Sequence, residues 1–240
     1  MIRVAAVGDL HAGTDSRGEL RPRFEDVAYR ADVLLLAGDL TKLGRPEEAA
    51  VLAGELGGLA VPTVAVLGNH DHHHGRPQEV RRLAEGAGIT VLEGEGTTLE
   101  VDGRRLGIAG AKGFGGGFAG ASASEFGEEE MKAFVRHTRS TADALQGALA
   151  GLDADVRVAL LHYSPVADTL VGEPPEIYPW LGSYLLGEAI DAAGADLAVH
   201  GHGHRGTEKG CTPGGVPVRN VALPVIGRAY NVYRVGGAEG

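Results

Sequence analysis

The chain is poor in sulfur, with one cysteine, Cys211, and two methionines in 240 residues. A lone cysteine forms neither an intramolecular disulfide nor a thiolate cage, so a disulfide scaffold, a structural zinc knuckle and an iron–sulfur cluster are excluded. Any bound metal must sit on His, Asp, Glu or Asn. Long apolar runs are missing too. The longest stretch free of Asp, Glu, Lys and Arg is residues 56–70, which contains Pro62, Asn69 and three glycines and falls short of the roughly 20 apolar residues of a spanning helix. Near the N-terminus, Gly8 and Asp9 interrupt the apolar run that follows Arg3, which leaves no secretory h-region. A cytoplasmic protein with no membrane partner is expected. Positive charge is short, with 22 Lys and Arg against 32 Asp and Glu and a net charge of -10. That balance opposes binding along a phosphate backbone, so a polynucleotide partner is not expected.

What the chain does have is apolar mass and glycine. At 43% hydrophobic residues it can offset the entropy of ordering, and its length suits a single domain, residues 1–240, with one insertion. Its 39 glycines are about twice the average usage of roughly 7%, against only 11 prolines, which signals tight turns and close backbone approaches.

One pattern repeats three times in the first third. The apolar runs 2–7, 33–37 and 61–67 end in Gly8-Asp9-Leu10-His11, Gly38-Asp39 and Gly68-Asn69-His70-Asp71, and Asp9, Asp39 and Asn69 stand 30 residues apart. That interval is the length of a βαβ unit, and continuous apolar runs read as parallel strands covered on both faces. Helices are expected between them at about 23–30, 46–56, where Pro46 opens the first turn, and 77–85. The polar clusters then fall at the carboxyl ends of parallel strands.

Beyond Gly88 the pattern becomes a hairpin, 97–101 and 104–109, around an Asp102-Gly103 turn of type I′. A Gly-rich loop and helix insertion occupies about 112–150, with Gly113, Gly115, Gly116, Gly117 and Gly120 in the loop and a polar helix at 125–149. The loop lacks the spacing of a phosphate-binding loop and reads as a lid or structural loop. Strand-plus-cluster returns at 156–161, ending in His162, and at 197–199, ending in His200-Gly201-His202-Gly203-His204. Strands at 216–222 and 230–235 close the chain.

Five strand ends thus deliver Asp9, His11, Asp39, Asn69, His70, His162, His202 and His204. Oxygen and imidazole donors without thiolate suit manganese, iron, zinc or nickel. Seven ligands over-supply one ion, whereas two ions sharing a carboxylate would use them all, and such a pair about 3.5–4 Å apart can clamp the attacking and leaving oxygens of a displacement at phosphorus.

In order and spacing these five blocks resemble those of the calcineurin-like metallophosphoesterase superfamily, over nearly the whole chain. The resemblance implies an α/β fold, a four-layer α/β/β/α sandwich of two mixed sheets flanked by helices. It implies two transition-metal ions (Mn, Fe or Zn), one on Asp9, His11 and His204, the other on Asn69, His162 and His202, with Asp39 bridging. A metal-bridging hydroxide would attack phosphorus. His70 would face the substrate and protonate the leaving oxygen, and Asp71 would orient His70. Protein Ser/Thr phosphatases of this superfamily carry Asp-Arg-Gly in the second block and Gly-Asn-His-Glu in the third. Here Leu40-Thr41-Lys42 follows Asp39, and the third block ends in Asp71. The resemblance is therefore to the phosphodiesterase-like branch, with a small phosphodiester as substrate. The alternatives are a phosphomonoesterase on a small phosphorylated metabolite and a non-catalytic metal-binding scaffold.

Other residues read more plainly. His72, His73 and His74 are expected in a solvated loop, His200 in the core or behind the ligands, and His137 on a surface. Segment 173–184, with Pro174, Pro175, Pro179 and the sole tryptophan, Trp180, reads as a substrate rim, a dimer contact or ordinary loop packing. Tyr163 either lines the site or packs, and Cys211 has no role.

Overall fold

The computed structural model describes residues 1–237. A five-stranded sheet takes the spatial order β13-β1-β2-β3-β4, from β1 (Ile2–Val7), β2 (Val33–Ala37), β3 (Thr63–Val66), β4 (Ile89–Val91) and β13 (Asn231–Val235). β1 to β4 are parallel, with Val4 opposite Val33, Leu34 opposite Thr63 and Thr63 opposite Ile89, and β13 closes one edge antiparallel. A six-stranded sheet takes the order β11-β12-β10-β9-β6-β5, from β5 (Glu95–Val101), β6 (Arg104–Ala111), β9 (Val156–Leu161), β10 (Leu197–His200), β11 (Lys209–Cys211) and β12 (Pro217–Asn220). The short ribbon β7 (Gly117–Phe118) and β8 (Ala121–Ser122) stands apart from both sheets.

Alternation along the buried strands creates the layers. Successive side chains of a strand point to opposite faces, so Ile2, Val4, Ala6, Val33 and Leu35 meet Ile108, Val156, Val158, Leu160 and Val199 between the two sheets. Their neighbours Ala5, Val7, Leu34, Leu36 and Ala65 face Ala49, Leu52, Leu56, Val80 and Ala84, which come from helices α3 (Pro46–Leu56) and α5 (Pro77–Gly86). On the far side, Ala109, Ala159, Leu161 and Ala198 face Leu145, Leu149, Leu186 and Ile190, from α6 (Glu129–Ala150) and α8 (Tyr184–Ala193). Two mixed sheets packed face to face with helices outside make the four-layer sandwich that the family resemblance implied.

Several elements differ from their sequence-based bounds. The helix expected at 23–30 is two short ones, α1 (Arg21–Phe24) and α2 (Val27–Arg30). The break falls where the Asp26 carboxylate accepts from the Tyr230 hydroxyl, a partner 204 residues away. The third strand is shorter than 61–67, and the long helix begins four residues later than expected, at Glu129. The hairpin turn has positive φ at both Asp102 (48°) and Gly103 (75°), as type I′ demands. Strands β4 and β11 and helix α8 have no counterpart in the expected elements. Helix α8 follows directly on the proline-rich segment, with Ser183 accepting from the Leu185 N–H as its N-cap.

Candidate metal centre

The carboxyl ends of β1, β2, β3, β9 and β10 converge at one edge of the two sheets. Backbone bonds tie these ends together: the Asp9 N–H donates to the Gly38 carbonyl at 2.9 Å, the His11 N–H to the Asp39 carbonyl at 3.0 Å and the Gly8 N–H to the Val221 carbonyl at 2.8 Å. Among the described residues five non-glycines hold positive φ, and four of them are Asp9 (61°), His11 (46°), Asp39 (48°) and His202 (70°). Left-handed backbone is uncommon for any residue with a Cβ and persists only where the surroundings enforce it. The loops are thus held in a costly form that turns these side chains inward. Two glycines make the convergence possible. A Cβ on Gly38 would fall 2.6 Å from the His162 ring, and one on Gly68 would fall 2.0 Å from Asp39 Oδ1.

The side chains form three overlapping groups whose ligand atoms lie within 4.8 Å of one another: Asp9, His11 and His204; His11, Asp39 and His70; Asp39, His162 and His202. Asp39 is common to the second and third, and His11 links it to the first. His11 Nε2 is 3.8 Å from its Oδ2 and His162 Nε2 is 3.3 Å from its Oδ1. His162 tests whether cations fit. Its Nδ1 lies 2.9 Å from the Ala37 carbonyl, which can only accept, so Nδ1 carries the hydrogen and Nε2 of the neutral ring presents a lone pair. That lone pair points at Asn69 Oδ1, 2.8 Å away, and at Asp39 Oδ1. Three electron-rich atoms face one another, and a cation between them resolves the repulsion. His202 is arranged alike, with Nε2 3.3 Å from the Trp180 carbonyl, which leaves Nδ1 as its lone-pair nitrogen. Such carbonyl partners fix the tautomer of metal-ligating histidines.

The electrostatics favour ligand forms at Asp9, His11 and His202 and run the other way at His204. Burial opposes the Asp9 charge, yet the hydrogen bond from His204 at 2.8 Å and the fields of His162 and His204 keep its carboxyl below the ordinary range. The same bond pushes His204 up. Burial pushes His202 down to about 3 and lowers His11 too, so both rings favour the neutral form that a cation needs.

All seven expected ligand residues are brought together. His70 borders them with its side chain 41% exposed and Nε2 3.9 Å from Asp39 Oδ2. Asp71 is a correction, because it does not orient His70. The His70 Nδ1 donates to the Lys42 carbonyl at 2.7 Å. The fully buried Asp71 carboxylate instead accepts from the N–H groups of Leu40 (3.1 Å), Thr41 (2.8 Å) and Gly68 (2.8 Å) and from the Thr41 hydroxyl (2.6 Å). An acidic residue at the third position of a helix turns back onto the cap, and α4 (Asn69–His72) has this arrangement. Asp71 thereby ties the Asp39 loop to the Asn69 turn.

His72, His73 and His74 are exposed. His200 is buried, with Nε2 2.7 Å from the Thr169 hydroxyl. His137 sits edge-on to Phe114 at 4.6 Å. Tyr163 is buried with its ring 4.4 Å from that of His202. Segment 173–184 and the Gly-rich loop lie against each other beside the centre. The Gly116 N–H donates to the Pro179 carbonyl at 2.7 Å and the Gly117 N–H to the Gly182 carbonyl at 2.9 Å, while Glu173 accepts the Arg205 N–H at 2.7 Å. One residue was missed. Lys112 directly follows β6, with Nζ 4.9 Å from the Phe114 ring centroid and 5.0 Å from that of Tyr163. Burial lowers its ammonium, and Glu93 and Asp39 pull it back. The available signal was its place directly after an apolar strand, like Asp9 after β1.

The model of the calcineurin-like phosphoesterase family matches residues 2–206. The chain belongs to that family and is a phosphoester hydrolase by membership. Solved structures share the fold at low identity. A phosphopantetheinyl hydrolase from Mycobacterium tuberculosis superposes with a TM-score of 0.62 at 16% identity, over 92% of this chain and 89% of that one. A protein from Thermus thermophilus gives 0.59 at 18% identity, over 97% and 98%. A putative 5′-nucleotidase from Staphylococcus aureus gives 0.59 at 16%, over 91% of this chain and 48% of that one. No match was found among curated protein sequences. Among the described residues no helix is long and apolar enough to cross a membrane.

Proposed function

We propose that this phosphoesterase hydrolyses a small phosphodiester at a two-metal centre, with Asp9, His11 and His204 holding one ion, Asn69, His162 and His202 the other, and Asp39 shared. The observation that carries the reading is the approach of the Asn69 and Asp39 side-chain oxygens to His162 Nε2, at 2.8 and 3.3 Å, which sets three ligand-type atoms around one point where a cation would fit. Two such ions supply polarisation of the phosphoryl oxygens and water whose pKa is lowered to about 7.

The chain's own groups do the rest. His70 stands at the half-exposed edge of the centre with its Nδ1 hydrogen committed to the Lys42 carbonyl, and in its imidazolium form gives the second proton, on Nε2, to the departing oxygen. Imidazole suits this role because its ordinary pKa of about 6.5 is close to neutrality. Asp71 acts as a positioning residue through Leu40, Thr41 and Gly68. The diester preference is supported by the second block, where a phosphate-gripping arginine is replaced and the Lys42 ammonium turns to Asp15 at 3.3 Å. A diester carries one charge and demands less of an arginine fork than a dianionic monoester.

The test is kcat/KM for a cyclic nucleotide, a glycerophosphodiester, a nucleoside monophosphate, a phosphopeptide and single-stranded DNA, measured with manganese supplied. A diester should lead. A clear lead for the monophosphate moves the reading to a phosphomonoesterase, and hydrolysis of none of them by metal-loaded protein moves it to a scaffold.

A further inference from the structure

Trp180 is the only tryptophan of the chain, and it remains 61% exposed beside the candidate centre. Its carbonyl accepts from His202 Nε2 at 3.3 Å, so its main chain lies one hydrogen bond from a candidate ligand. The frame that carries it is braced. In α7 (Tyr178–Leu181) Leu181 is buried against Phe118 and Leu170, and Tyr178 packs on the same cluster. Pro179 precedes the tryptophan and restricts the backbone, and the bond from the Gly116 N–H to its carbonyl fastens the helix to the Gly-rich loop. A large apolar ring is thus exposed to water on a braced segment whose main chain reaches a candidate metal ligand.

Charge makes that ring matter. A chain of net charge -10 repels an anionic ester at long range, and the Lys42 ammonium is paired with Asp15. Uncharged contacts can supply binding energy for the part of the substrate beyond the phosphorus. Exposed aromatic faces supply such contacts to flat rings, and stacking a base on an aromatic side chain is tolerant of base identity.

We propose that the Trp180 indole is the platform on which the flat, heteroaromatic body of the substrate stacks, so that the preferred esters are nucleotide-like rather than glycerol- or sugar-based. This rests on the phosphoesterase reading and narrows its substrate class. Trp180 is a specificity-determining residue here, separate from the role of its carbonyl on His202.

Because the tryptophan is unique, its fluorescence reports on this one position. Added to metal-loaded protein, adenosine monophosphate should quench the emission saturably, while glycerol 3-phosphate and inorganic phosphate should leave it unchanged. In kinetics, Trp180→Ala should lower the ratio of kcat/KM for a nucleotide ester over a glycerol ester by about tenfold, the size expected of one stacked base. Trp180→Phe should restore most of that ratio, with metal content unchanged in both variants. The proposal is overturned if adenosine monophosphate does not quench, or if Trp180→Ala slows both esters alike, which would mark a role only in supporting His202. Should no ester be hydrolysed, the phosphoesterase reading fails by itself, and the fluorescence comparison still decides whether Trp180 stacks a flat ring.

Discussion

His162 turns its Nε2 lone pair to within 2.8 Å of the Asn69 side-chain oxygen while its Nδ1 hydrogen is committed to Ala37. The two residues come from different sheets, and the Asp39 carboxylate lies beside both. His162→Ala should therefore lose one of two bound metals, and Asp39→Asn should lower both, since an amide removes the negative charge that holds two cations close. Metal analysis of protein purified without chelator checks this. Two full equivalents in Asp39→Asn would refute the bridging assignment.

His70 contributes to the same edge but is held by Lys42 rather than by a carboxylate. His70→Ala should keep its metals and lose about 10²–10⁴-fold in kcat on alkyl esters, with a much smaller loss on activated aryl esters that leave without a proton. A leaving-group series measures it, and equal losses across the series would remove the general-acid role.

Asp71 accepts four hydrogen bonds in a fully buried place. Asp71→Asn puts an amide nitrogen where donors converge, and leaving a buried donor unpaired costs about 1–3 kcal/mol. Urea denaturation should show a loss of that order in Asp71→Asn, with His70→Ala close to the parent. Stability unchanged in Asp71→Asn would contradict the stapling role.

The Tyr230 hydroxyl donates to Asp26 across the α1–α2 break, and burial together with that bond pushes its pKa up to about 12. An unfolded tyrosine ionises near 10. The folded form holds its proton more tightly, so this contribution to stability is whole below pH 10 and is lost as pH climbs from 10 towards 12. Urea midpoints across that range should fall more gently in Tyr230→Phe than in the parent, although the variant starts lower because Asp26 loses its donor. Parallel slopes would place the alkaline loss elsewhere.

The sequence by itself determined the sheets and the inventory of the centre. Ile2–Val7, Val33–Ala37 and Val156–Leu161 are legible to the residue because strands buried on both faces must be apolar throughout, and the polar residues that end such runs can only sit at the sheet edge. Asp9, Asp39, Asn69, His162 and His202 were found in this way. What the tertiary structure decided is who touches whom. Asp71 follows His70 in the chain, yet its carboxylate is satisfied by Leu40 and Thr41, about thirty residues earlier. Lys112, set between two rings, and Trp180, bonded through its carbonyl to His202, gain their places from contacts across the fold. The left-handed backbone at Asp9, His11, Asp39 and His202 runs against local preference and is imposed by bonds between distant loops. Strand and helix preferences act over a few neighbouring residues and leave periodic traces. A hydrogen bond that closes a long loop depends on the packing of everything between its ends, and no local pattern records it.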